Sequence, residues 1–131
     1  QDVMGAAKFE DSIGWGSFFI DIHNTKGPGM DDKTWRPPKG FKYQIPYRIL
    51  VPKGTDGLLV AGRCASCDHG ALGSLRVMPQ CGVMGQAAGT AAAISLRGKC
   101  PPHEVDVKRL QGELKSAGCL LDEADVRAAN S

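Results

Sequence analysis

The chain lacks a run of about 20 apolar residues, the length a membrane-spanning helix requires, so no transmembrane segment is expected. Its most apolar stretch is interrupted by Gln80, Gln86, Thr90 and Ser95. It also lacks a basic stripe or cluster. The 16 Lys and Arg are interspersed with 14 Asp and Glu, leaving a net charge of +2, and this pattern argues against a nucleic-acid partner. The opening residues QDVMGAAKFED have neither the basic start nor the apolar stretch of a secretory signal. No second Cys-x-x-Cys accompanies Cys64 and Cys67, so spacing alone does not complete a structural zinc site, and no resident metal is expected. His69 or Cys81 would complete such a set only through folding. The cysteines (Cys64, Cys67, Cys81, Cys100 and Cys119) number five, which cannot all pair within one chain. Reduced thiols, and with them a cytoplasmic setting, are the expectation.

What is present is 131 residues with 42% hydrophobic content, enough for one modest core. Residues 58–61, LLVA, read as a strand buried on both faces and ended by Gly62. A long helix is expected from Pro79, whose fixed φ suits a first helical position. That helix carries Gly82, Gly85, Gly89 and many alanines. Each Gly costs about 1 kcal/mol relative to Ala, so something is expected to lie close to its backbone. Between strand and helix lies a loop rich in Gly, Cys, His and Arg.

Elsewhere, residues 2–14 read as a short helix and Phe18–His23 as a half-buried strand. Residues 24–40 read as a mobile loop. Tyr43–Val51 reads as extended, with Pro46 favouring an edge, and residues 53–57 as a turn. The basic last turn at Arg97 and Gly98 stops the long helix. Asp106 caps a further helix running to about Ala117, with Val107, Leu110 and Leu114 on one face and Gly118 beyond it. Residues 122–131 form a polar tail expected to fray.

The run AGRCASCDHGALGSLRVMPQCGVMGQAAGTAAA, with IPYRILVPKGTDGLLVAG before it and FEDSIGWGSFFIDIH upstream, resembles the C-terminal part of a family of FAD-dependent oxidoreductases. The similarity covers roughly residues 1–121. Departures are few: Cys67 and Asp68 replace small or hydroxyl residues, and Gly82 stands where Met is common. The resemblance implies an α/β fold: a C-terminal fragment of a Rossmann-like FAD/NAD(P)-binding flavoprotein. Residues 1–52 would then belong to a β-containing substrate region, 53–121 to the strand-loop-helix of the FAD domain, and 122–131 to the tail. It further implies that Gly62, Arg63, Cys64, Met78, Pro79, Gln80, Cys81 and Gly82 contact the cofactor. The helix start would face the pyrimidine edge of the flavin, and Arg63 a phosphate or ribityl oxygen. His69 and Arg76 are implied as catalytic residues on the substrate side, His69 moving a proton and Arg76 orienting a carboxylate or carbonyl.

The plain alternatives are a hydrogen-bonded loop histidine for His69, an ion pair for Arg76 and a pairing with Asp68 for Arg63. His23 is a weaker candidate, and His103 has no assigned role. No G-x-G-x-x-G occurs to hold the pyrophosphate. The chain alone is therefore not expected to retain FAD, and the remainder of the flavoprotein is its first expected partner, with an unidentified small-molecule substrate. Two other readings stay open. One is a thiol-redox or zinc module built on Cys64, Cys67 and Cys81; the other is a non-catalytic remnant that self-associates through uncovered apolar faces.

Overall fold

The computed structural model describes residues 1–129 and combines helices with one small sheet. Strand β1 (Ser12–Gly16) pairs antiparallel with β2 (Tyr43–Pro46), Gly14 opposite Ile45 and Gly16 opposite Tyr43, with an irregular step between Ser12 and Gly14. Helix α2 (Met78–Gly98) packs across this ribbon, and its buried positions Gln80, Met84, Ala87, Ala91 and Ile94 recur every three or four residues. Gly14 is the point of closest approach. A Cβ there would stand 2.6 Å from Cγ1 of Val83, and its φ of +152° already disfavours a side chain.

Helix α3 (Val107–Ser116) closes the other side. Asp106 caps it by accepting the N–H of Lys108 at 2.9 Å, Leu110 and Leu114 are buried, and Gly118 follows with φ +84°. This matches the sequence reading. Ile13, Tyr43, Ile45, Leu50, Met84, Leu110 and Leu114 form the centre of one continuous core, each such side chain contributing about 1.5–3 kcal/mol through burial.

Several local expectations are corrected. Residues 2–14 are not helical: a turn that buries Val3 leads into β1, whose pairing with β2 buries Ile13 and overrides the local pattern. Phe18–His23 is extended, but its ladder is reduced to isolated bridges from Ile20 to Trp35 and from His23 to Met30. Tyr43–Val51 is extended only as far as Pro46 and then winds into a 3₁₀ turn over Tyr47–Leu50. Residues 58–61 form no strand, and Leu58 is 45% exposed. A doubly buried strand needs neighbours on both edges, whereas this segment gains one backbone bond to a remote segment, Val60 N–H to the Leu50 carbonyl.

The loop before the long helix contains α1 (His69–Leu75). Helix α2 begins at Met78, one residue before Pro79, and its left-handed end falls on Lys99 (φ 50°) rather than at Gly98. The polar tail is helical as α4 (Glu123–Ala129); Asn130 and Ser131 lie outside the described residues.

Among the small residues of α2, Ala87 and Ala91 are buried in the core, whereas Gly82, Gly85 and Gly89 face open space. Cβ atoms built at Gly82, Gly85 and Gly89 meet no other atom within 4 Å, and Met78 and Leu96 at either end of that face are 87% and 80% exposed. Among the described residues, no helix is long and apolar enough to cross a membrane.

Candidate functional site

Helix α1 is short and contains Gly70 and Gly73, so its own propensity is poor. A local cap and two tertiary contacts hold it. At its start Asp68 accepts the Ala71 N–H at 2.7 Å. In its middle Gly73 sits against the extended segment: a Cβ would fall 2.9 Å from the Asp21 carbonyl oxygen, so only glycine lets the two backbones meet. Next to it, the Ser74 hydroxyl donates to the Phe18 carbonyl at 2.6 Å and accepts from the Tyr43 hydroxyl at 2.6 Å. Burial pushes the Tyr43 phenol above its ordinary range, while the neighbouring Ser74 and Gln80 side chains oppose the shift.

His69 and Arg76 stand seven positions apart, nearly one above the other on a helical wheel, yet the structure gives them different surroundings. His69 is exposed at the first position of α1 and lines the mouth of a cavity of about 800 Å³. Arg76 lies outside that lining. Its Nη2 donates to the Asp21 carbonyl at 3.2 Å and meets the Asp21 carboxylate at 3.4 Å. The same carboxylate pairs with His23 Nε2 at 3.3 Å, and its Oδ1 is buried without a partner. Asp21, which sequence reasoning passed over, therefore ties Arg76 to His23. The available signal was its place as the polar residue between Ile20 and Ile22, both of which turn toward the cavity.

The residues expected to meet a cofactor converge on one junction. Gly62, with φ +66°, approaches the first turn of α2 so closely that a Cβ would touch Cys81 Sγ at 3.4 Å. The Cys81 thiol is directed at the Arg76 carbonyl, 3.5 Å away. Arg63 and Cys64 are exposed beside this contact, as are Met78, Pro79 and Gly82. Val77 caps α2 with extended backbone and no side-chain hydrogen bond, so no side chain covers the donors of the first turn. Gln80 alone turns inward; it is 3% exposed, lies beside Tyr43, and leaves its Oε1 without a partner.

The five thiols are free. Burial, and then the neighbouring Asp68, push the Cys67 thiol up, away from the thiolate that a reactive dithiol requires. Among the described residues no three metal-ligating side chains gather into a site.

Comparison with protein families matches residues 1–114 to a family described as FAD dependent oxidoreductase. No curated protein and no solved structure matches the chain.

Proposed function

This chain belongs to the FAD dependent oxidoreductase family, and from that premise we propose that it is the part of a longer flavoprotein that faces the flavin and its substrate. The observation that carries this reading is the uncovered first turn of α2. A helix start lacking a side-chain cap, beside a glycine with open space over it, offers N–H donors and the room a flat ring needs. The residues fit the cofactor at this edge: Gly82 and Met78 leave the approach open, and Arg63 reaches out beside it. When bound, FAD supplies the two-electron redox chemistry.

In this proposal residues 53–121 complete a Rossmann-like FAD domain whose pyrophosphate loop lies in a separate stretch of the flavoprotein, and residues 1–52 form part of the substrate region. His69 holds or delivers a proton at the cavity mouth. Arg76, outside the cavity lining, acts on the substrate through Asp21, whose neighbours Ile20 and Ile22 line the cavity.

The test uses the full-length flavoprotein. Gly82→Leu should lower flavin content or shift the flavin potential, whereas Gly98→Leu, at the far end of α2, should change neither. Equal and negligible effects of both substitutions on the visible spectrum and the potential would refute the placement.

A further inference from the structure

The cavity beside His69 has a composition that indicates what enters it. Its walls come from separate parts of the chain: Val3 from the N-terminal turn, Ile20 and Ile22 from the extended segment, Ile45 from β2, Ile49 from the 3₁₀ turn and Leu75 from α1. Its volume of about 800 Å³ lies within the roughly 300–1,000 Å³ of small-molecule sites, and its floor is made of core side chains.

Polar groups line the opening, and they carry both signs. Lys33 and His69 supply donors, Asp2 and Asp68 supply carboxylates, and Cys67 a thiol. Asp31, just behind this rim, accepts the Lys33 N–H at 2.9 Å and lies in the field of both the Lys33 ammonium and His69. These rim groups are exposed and of both signs, so an ionic head meets a like charge beside the opposite one and gains no net attraction. A neutral head finds a donor or an acceptor on either side.

We propose that this cavity binds a small, neutral, mainly apolar molecule bearing a hydroxyl or carbonyl group, the polar group at the His69 and Lys33 rim and the apolar body against Ile20, Ile45 and Leu75. The proposal rests on the reading of His69 as the substrate-side residue and specifies the class of substrate.

Three probes with one aromatic skeleton and different heads decide it: 2-phenylethanol, phenylacetate and 2-phenylethylammonium, each titrated into the 131-residue chain and followed by backbone amide shifts. The alcohol should bind saturably at one site, shifting the amides of Ile22, Ile49 and Ala71, and at least about tenfold more tightly than either ion. Ala71→Trp, which fills the cavity, should abolish this binding with the rest of the spectrum unchanged. Ile22→Trp at the rim gives a second route to the same loss should the first variant misfold. Equal binding of the three probes, tighter binding of an ion, or no cavity shifts in the folded chain would overturn the proposal. Flavin in the visible spectrum of the full-length protein tests the underlying reading separately, so failure with the probes beside an intact flavin spectrum rejects the ligand class alone.

Discussion

At the scale of single residues, the two tyrosines of β2 and its following turn show how burial sets both stability and titration. The Tyr47 hydroxyl donates to the Pro102 carbonyl at 2.8 Å, fastening the turn after β2 to the connection before α3. Burial, followed by the neighbouring Cys100, pushes its phenol up to about 12 from the ordinary 10.0. A group whose pKa is raised on folding stabilises the fold fully below its unfolded value and loses that contribution as the pH climbs through the folded one. Stability should thus decline between about pH 10 and 12, and Tyr47→Phe should flatten that decline. The same change removes one of the two hydrogen bonds to the Pro102 carbonyl, which keeps the Val105 N–H at 3.3 Å, and should lower stability at neutral pH by about 0.5–1.5 kcal/mol, measured by urea unfolding.

Asp11 behaves in the opposite sense. Burial raises its carboxyl, but the hydrogen bonds from Arg48 outweigh that and hold it below the ordinary 3.8. Its contribution is present above that value and lost as the pH falls through the lowered one, so Asp11→Asn should soften the acid limb of the stability profile. An unchanged acid limb would show that the Arg48 pair adds nothing.

At the scale of elements, legibility followed how local the cause was. Helix α3 could be read because its cap, apolar stripe and terminal glycine all lie within thirteen consecutive residues. Helix α1 was hidden. Its two glycines lower its propensity, and what stabilises it is remote in sequence: Asp21, Phe18 and Tyr43. Asp68 was the legible sign, since an Asp three residues before an accepted N–H is a cap. The segment at residues 58–61 failed in the other direction, because its apolar composition is suited to neighbours that the described residues do not supply. As for the candidate site, the motif named His69, Gly62 and Cys81 one by one, whereas the contact between Gly62 and Cys81, the cavity and Asp21 emerge only from the fold.

The glycines of these helices make a paired prediction. Gly73→Ala drives a Cβ against the Asp21 backbone and should cost about 1–3 kcal/mol. Gly85→Ala meets open space on an exposed helical face and should stabilise the isolated chain by up to about 1 kcal/mol. Thermal denaturation of the two variants reads both signs, and a stabilising Gly73→Ala would deny the packing of α1 on the extended segment.

At the scale of the whole molecule, the chain holds a complete core beneath an incomplete surface. On α2, Met78, Gly82, Gly85, Gly89, Ala92 and Leu96 follow one another at spacings of three and four, so they form a single face about 27 Å long by helix geometry. A helix accepts several exposed glycines at a cost in stability only where another requirement outweighs it, and close approach of a second backbone is such a requirement. In the proposed flavoprotein that second backbone belongs to the remainder of the FAD domain, which also brings the glycine-rich pyrophosphate loop absent from this sequence.

Both features lead to one expectation. The isolated chain should fold yet bind FAD only weakly, since it presents the flavin edge of the site and none of the pyrophosphate turn. Calorimetric titration of FAD into the 131-residue chain measures this, and submicromolar affinity would show that the first turn of α2 suffices without the rest. Gly85→Leu then separates the surface from the core. It should leave this chain as stable as Gly85→Ala does, because the side chain enters empty space, but in the full-length flavoprotein it should reduce flavin content by obstructing the face of α2. Normal flavin content in that variant would mean that nothing packs along this helix, and its glycines would then have no explanation in assembly.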